Sequence, residues 1–170
     1  MTENSNPLNK YFRQPSIYVT LPSGSAYPPH VLQASQSGEI GIQPMTAKDE
    51  IRFKTPDALM NGQGVVEVIQ SCVPQIKDAW QIKSYDLDTL LIAIRIATYG
   101  ETMDFTFTVP GANEQVTHSQ NLPAVLDQIR STTIESEITL EDGLKIAVRP
   151  LTYKDMTTAS QQTFQQQKMY

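Results

Sequence analysis

Few side chains in this sequence have the residue type and the spacing that catalysis or metal binding requires. The two histidines, His30 and His118, lie far apart, and neither belongs to a short metal-ligand motif such as H-E-x-x-H. Cys72 is the single cysteine, which excludes an intrachain disulfide and a cysteine-based zinc site. It precedes Val73 and Pro74 at the end of a predicted helix, where the helix dipole raises the pKa of a thiol. We therefore expect a buried structural cysteine, no bound metal and no cofactor.

Carboxylates could supply acid–base chemistry, but each acidic pair lies at a predicted helix start or turn. The pairs are Asp49 with Glu50, Asp86 with Asp88, and Glu141 with Asp142. The helix dipole and turn geometry favour acidic residues at such positions, so the pairs need no catalytic explanation. The G-x-G pattern in residues 61–64 lacks both a third glycine and a preceding strand, and it does not predict dinucleotide binding. The sequence predicts a protein that is not an enzyme.

Length, charge and hydropathy restrict the class of protein further. A chain of 170 residues predicts one domain with room for a hydrophobic core. A net charge of -5 disfavours nucleic-acid binding through a basic surface. The longest apolar run, residues 90–94, is far shorter than the roughly 20 residues that span a bilayer, and residues 1–7 lack the apolar core of a signal peptide. We expect a soluble protein of a reducing compartment that binds neither nucleic acid nor membrane.

Hydrophobic periodicity predicts the elements that would position these groups. Residues 86–99 form the strongest helix, which is apolar nearly all round, is capped by Ser84 or Asp86 and ends at Gly100. Alternating apolar residues predict antiparallel hairpins at residues 102–118 and 136–148. Further strands are predicted at residues 16–21 and 39–43, and further helices start near residues 46, 55, 65, 121 and 152, with Gly62 and Gly64 ending the second of them. The predicted fold class is α+β, a single small domain of several helices and antiparallel hairpins around a central apolar helix.

Residues 1–38 combine aromatic residues with prolines and loop signals, and we expect an extended N-terminal arm before a body at residues 39–170. Such an arm packs along its own body or along a neighbouring protein, and the sequence leaves both arrangements open. Aromatic side chains and arginine are favoured in interfaces, and an extended segment can add a strand to a partner's sheet. The predicted partner-binding residues are Tyr11, Phe12, Arg13, Ile17, Tyr18 and Tyr27.

Two segments of the chain share the pattern Pro-apolar-Thr-x-Lys-Asp. They are residues 43–49 (QPMTAKD) and residues 149–155 (RPLTYKD). In both, proline ends a predicted strand, threonine caps a predicted helix, and aspartate lies near the positive end of the helix dipole. A common type of strand-to-helix connection explains the likeness, and a true duplication would need more matched positions than these.

Several segments, taken in order, resemble a family of baseplate hub proteins from T-even-type contractile-tailed bacteriophages. The N-terminal resemblance lies in residues 6–15 (NPLNKYFRQP) and 21–24 (LPSG). The central and C-terminal resemblance lies in residues 44–50 (PMTAKDE), 55–62 (TPDALMNG), 68–74 (VIQSCVP), 86–95 (DLDTLLIAIR), 140–144 (LEDGL) and 150–152 (PLT). Each motif alone has low specificity, but the ordered set covers nearly the whole chain.

This resemblance implies a non-enzymatic protein that helps to assemble the baseplate hub through contacts with other hub or tail proteins. It implies a location in the tail baseplate of the virion, or in the host cytoplasm during assembly. One alternative is a transient chaperone that is absent from the mature virion. Another is a small hub-associated hydrolase, which would need an acid with a raised pKa and a second carboxylate in a cleft. The oligomeric state is left open.

Overall fold

The computed structural model describes residues 12–24, 26–108, 111, 114–131 and 136–167. Its strands are β1 (Ile17–Thr20), β2 (Glu39–Ile42), β3 (Thr102–Thr108), β4 (Gln115–Asn121), β5 (Glu137–Thr139) and β6 (Lys145–Ala147). Its α-helices are α1 (Ala47–Phe53), α2 (Pro56–Met60), α3 (Gln63–Cys72), α4 (Ser84–Tyr99), α5 (Leu122–Arg130) and α6 (Tyr153–Gln167), and a 3₁₀ helix covers Ala79–Gln81. The strands form three antiparallel pairs, β1–β2, β3–β4 and β5–β6. This architecture confirms the predicted α+β class.

Helix α4 lies at the centre of the core, as its apolar surface predicts. Leu90 and Ala93 are fully buried, and α4 contacts α3, α5, α6 and both strands of the first sheet. The predicted side-chain cap is wrong, because the N-cap residue is Lys83 and its side chain makes no capping hydrogen bond. Asp86 lies inside the first turn and is buried instead. Gly100 ends the helix with a φ of 95°, a conformation that favours glycine.

The described part of the predicted arm belongs to the core of its own chain. Strand β1 pairs antiparallel with β2, so that Val19 lies opposite Ile40. Val19 and Leu21, and farther along the chain Val31 and Leu32, are buried in the same hydrophobic cluster as α4. Of the two arrangements that the sequence left open, these residues adopt packing along their own body. The division of the chain at residue 38 stays a prediction, and it would fall between the two strands of this sheet.

Identical caps start helices α1 and α6. The side chain of Thr46 accepts a hydrogen bond from the backbone N–H of Asp49, whose carboxylate accepts the N–H of Thr46 at 2.8 Å. Thr152 and Asp155 exchange the same two bonds, at 3.1 and 3.2 Å. The connection predicted from the repeated pattern is therefore confirmed at both places. The structure also lengthens the match, because each cap follows a two-stranded hairpin.

Two features of the helices differ from the predictions or were missed. Gly62 does end the preceding turn and serves as the N-cap of α3, but Gly64 lies within α3. A Cβ at Gly64 would come within 3.2 Å of the Ala58 side chain, so glycine lets α2 and α3 approach closely. Trp80 stacks on Tyr153, with ring centroids 5.5 Å apart, and holds α6 against the 3₁₀ helix, a contact that no pattern in the sequence predicted.

We predict that Ile40→Ala destabilises the protein by about 2–5 kcal/mol, because Ile40 is fully buried and the truncation leaves a cavity. Ile146→Ala is a matched control from β6, where the side chain is 40% exposed, and it should cost about 1 kcal/mol or less. Denaturant unfolding followed by circular dichroism measures both. Equal losses for the two variants would contradict this description of the core.

Candidate protein-binding surfaces

The residues that could have done chemistry have structural roles. Cys72 is fully buried, as predicted, and burial raises the pKa of its thiol despite the Arg13 guanidinium 3.5 Å from the sulfur. Within the described residues, no group of three or more His, Cys, Asp or Glu side chains is placed to hold a metal ion. The described helices include none with the length and apolar character needed to cross a membrane.

One member of each acidic pair also stabilises the fold. Asp49 completes the cap of α1, and the carboxylate of Asp142 accepts the backbone N–H of Leu144 at 3.0 Å inside its hairpin turn. Asp86 is fully buried at the start of α4, where it accepts the backbone N–H of Ser23 at 3.0 Å and the hydroxyl of Tyr27. This last role was missed by the sequence analysis, because the two partners lie some sixty positions away in the chain.

Arg13, a predicted partner-binding residue, is bonded inside its own chain. Its guanidinium donates to the backbone carbonyl and the hydroxyl of Ser71 at 3.2 and 3.0 Å, and to the carbonyl of Pro44. It also lies 3.7 Å from the Asp49 carboxylate. Arg13 therefore joins the N-terminal segment to the end of α3 and to the cap of α1. A binding role for this residue stays a prediction.

Tyr27 is a second attachment point between the N-terminal segment and α4. Its hydroxyl donates to the buried Asp86 and accepts the backbone N–H of Lys83 at 2.9 Å. Burial, with the hydrogen bond to Asp86, raises the pKa of this phenol far above its ordinary value. The ammonium group of Lys83 lies 5.1 Å from the centre of the Tyr27 ring. Tyr27 is thus held by its own body at the polar end of its side chain.

The remaining predicted partner-binding residues fall into different environments. Ile17 packs partly buried against the core. Phe12 and Tyr18 are 62% and 64% exposed, and they remain the candidates for binding within the described N-terminal segment. Tyr11 lies outside the described residues. Of the predicted residues that the structure describes, Arg13, Ile17 and Tyr27 are engaged within the fold, and Phe12 and Tyr18 face outward.

The most extensive exposed apolar surfaces lie in the C-terminal half. The register of β3 with β4 places Phe105 opposite His118 and Phe107 opposite Val116. Alternation along the strands then puts four large side chains on one side of this hairpin, and each is at least 40% exposed. We call them the β3–β4 face: Met103, Phe105, Phe107 and Val116.

The second hairpin has an apolar side as well. Ile138 lies opposite Ile146, and Leu140 bonds to Leu144 at the turn through its backbone N–H. The other side is polar and carries an ion pair between Lys145 and Glu137 at 2.9 Å. We call the apolar side the β5–β6 face: Ile138, Leu140, Leu144, Ile146 and Val148. Every side chain in it is exposed.

Both faces were missed as binding surfaces, although the signal was in the sequence. The alternating patterns predicted strands with one apolar side each, and an apolar side requires a partner. Whether another element of the chain covers each apolar side is decided by the tertiary structure. Of the N-terminal residues that carried the binding prediction, Arg13, Ile17 and Tyr27 are engaged within the fold instead.

A folded α+β core with exposed apolar sheet faces defines a protein of the kind that binds other proteins. The comparison with known families agrees with this class. Residues 15–169 match the family described as T4 bacteriophage base plate protein, and the chain belongs to that family. The chain is therefore a structural protein of a T4-type phage baseplate, which confirms that part of the resemblance. No curated protein and no solved structure matches the chain.

We predict that Arg13→Ala lowers the free energy of unfolding by about 1–3 kcal/mol, because it removes bonds to Ser71 and Pro44 and the cation beside buried Asp49. Phe12→Ala, one residue earlier at an exposed position, should change it by no more than about 0.5 kcal/mol. Urea denaturation of the two variants provides the test. A loss of similar size in both would mean that Arg13 does not attach the segment.

A pH dependence follows from Asp49. Burial raises the pKa of this carboxyl, but hydrogen bonds from Thr46 and Ser71 and the Arg13 charge outweigh burial and hold the pKa below its usual range. Its contribution to stability is thus complete above the ordinary pKa of 3.8 and is lost as pH falls below that value. Asp49→Asn should flatten the loss of stability that occurs as the pH falls below the ordinary pKa of 3.8, as measured by thermal unfolding at each pH. Asp57→Asn, in the first turn of α2, controls for the change in charge, and parallel curves for wild type and Asp49→Asn would contradict the assignment.

Proposed function

We propose that this protein belongs to the baseplate hub and takes part in hub assembly, without enzymatic activity, through protein–protein contacts. Family membership supports a location in the baseplate, and the ordered resemblance to hub proteins supports a role in the hub. The observation that carries the mode of action is the exposure of the β3–β4 and β5–β6 faces beside a core that is otherwise well buried. Exposed apolar surface of this kind is costly in water and is typical of interfaces.

The contacts would be made at both ends of the chain. The C-terminal faces supply large apolar side chains, among them Phe105 and Phe107, whose rings lie 6.3 Å apart. Phe12 and Tyr18 are the N-terminal candidates because their side chains are free of the core. Arg13, Ile17 and Tyr27 would support binding by holding the N-terminal segment in place, and Tyr11 stays a proposed contact. The partners are other hub or tail proteins, in the virion baseplate or in the host cytoplasm during assembly.

A hydrolase function has no support from the described residues. One carboxylate of each acidic pair is engaged in a cap, in a turn or in the Asp86–Tyr27 contact. The cleft of about 390 Å³ between the 3₁₀ helix and α6 has Asp78 as its acidic lining residue, and that carboxylate caps the 3₁₀ helix. A retaining or inverting hydrolase needs a second carboxylate in the same cleft.

We predict that quantitative mass spectrometry detects this protein in stoichiometric amounts in purified phage particles and in hub intermediates from infected cells. A known hub subunit in the same samples provides the reference amount. If the protein is present in intermediates but not in particles, it is a transient assembly chaperone and not a structural subunit. Absence from both would overturn the hub assignment.

A further inference from the structure

The chain contains two similar structural units. Each is a pair of antiparallel strands, then a proline, an apolar residue, a capping threonine and an aspartate that opens a helix. The strands are joined by residues 21–38 in the first unit and by residues 140–144 in the second. Aligning Thr46 with Thr152 aligns the first three residues of β2 with the three residues of β6, and Ile42 with Val148 just after β6. The cross-strand pairs agree as well, because Val19 lies opposite Ile40 and Ile138 lies opposite Ile146.

Both units attach to α4, at its opposite ends. The backbone N–H of Met45 in the first unit donates to the Thr98 hydroxyl at 2.9 Å, near the C-terminus of the helix. The backbone carbonyl of Leu151 in the second unit accepts from the N–H of Ser84 at 2.8 Å, at the first residue of α4. The second unit is therefore fixed to the core at its cap, like the first.

The two units differ in what covers their apolar sides. In the first unit, α4 contacts both strands, and the apolar side chains are 0–6% exposed. In the second, the corresponding side chains are 37–45% exposed. The corresponding pairs are Val19 with Ile138, Leu21 with Leu140, Ile40 with Ile146, and Ile42 with Val148. Among the described residues, no helix covers the second unit as α4 covers the first. A lone two-stranded hairpin is only marginally stable in water.

The charged residues of the C-terminal part of the chain indicate what kind of helix fits the apolar side of the second unit. Residues 100–170 hold nine of the 18 acidic residues but five of the 13 basic ones. Glu141 and Asp142 are exposed in the turn of the second hairpin, while Lys145 and Arg149 are paired with Glu137 and Asp155. An apolar surface with two exposed acidic residues at one end is complementary to a helix whose apolar stripe is flanked by lysine or arginine.

We propose that the β5–β6 face binds an amphipathic, basic-flanked helix of another protein of the baseplate, which takes the place that α4 occupies over the first unit. This inference rests on the proposed function and names the chemistry of one partner. A second copy of the chain is the other possible occupant, since a two-fold interface would bring two β5–β6 faces together, and the test below separates it from a partner helix.

The test uses the purified full chain and three labelled 18-residue peptides. The first is an amphipathic helix with a leucine stripe and lysine flanks, the second has glutamate in place of lysine, and the third has the first composition in scrambled order. Fluorescence anisotropy measures binding. We expect the lysine-flanked helix to bind at least about tenfold more tightly than the other two.

Variants then locate the site. Ile146→Asp should weaken binding of the lysine-flanked helix by about tenfold or more, and Glu141→Lys should weaken it and reduce its salt dependence. Ile51→Asp is the matched control, because Ile51 is 69% exposed on α1, away from the second unit. Circular dichroism confirms that each variant is folded. Arg149→Ala is a second control variant, because it leaves the apolar face intact and should preserve binding.

The outcomes separate the possible occupants. Preference for the lysine-flanked helix that is lost in Ile146→Asp and kept in Ile51→Asp supports the proposal. Equal binding of the three peptides, no binding, or insensitivity to Ile146→Asp overturns it. Self-association of the chain that Ile146→Asp abolishes, measured by analytical ultracentrifugation, assigns the face to a second copy and also overturns it. None of these outcomes changes the result expected from mass spectrometry of the particles. Failure of this proposal can therefore be distinguished from failure of the hub assignment.

Discussion

The rest of the structure depends on one constraint, which is that α4 is apolar on nearly every side and must be covered from several directions. Strands β1 and β2, helix α3 and helix α5 all contact it, and the N-terminal segment is held beside it by polar contacts such as Tyr27 with Asp86. Arg13 completes this attachment at the end of α3. The N-terminal segment is therefore used to cover α4 and is part of the core structure. This explains why residues that are favoured in interfaces, such as Tyr27, are engaged within the chain.

The same constraint explains the uneven surface of the protein. One central helix covers one hairpin, and the other two hairpins keep their apolar sides exposed. A structural protein of a phage baseplate functions in contact with neighbours, so surface that is costly in isolation becomes part of the assembly free energy when a neighbour covers it. The two similar units make the point directly, since Ile40 and Ile146 occupy equivalent positions in their strand pairs, and Ile40 is buried beneath α4 whereas Ile146 is exposed.

Much of the fold could be predicted because its signals are local. The Thr46 and Thr152 caps depend on residues three positions apart, and the alternation in residues 136–148 places a hairpin without reference to the rest of the chain. The failures involve distant partners. Asp86 was read as a helix cap but binds Ser23 and Tyr27 from far along the chain, and Gly64 was read as a breaker although α2 needs it for close packing. The exposure of the β3–β4 and β5–β6 faces also depends on how distant elements pack, which is why the sequence did not predict these faces as the candidate site.

By itself, the sequence determined the α+β class, the central helix, the capped connections, the buried Cys72 and the resemblance to a phage baseplate family. These follow from the period of apolar residues and from the hydrogen-bonding preferences of single side chains, which act over a few residues. Only the tertiary structure decided which apolar sides are covered and which polar groups meet. Burial is a competition for a limited internal surface, and its outcome depends on how all elements pack together rather than on the pattern of any one of them.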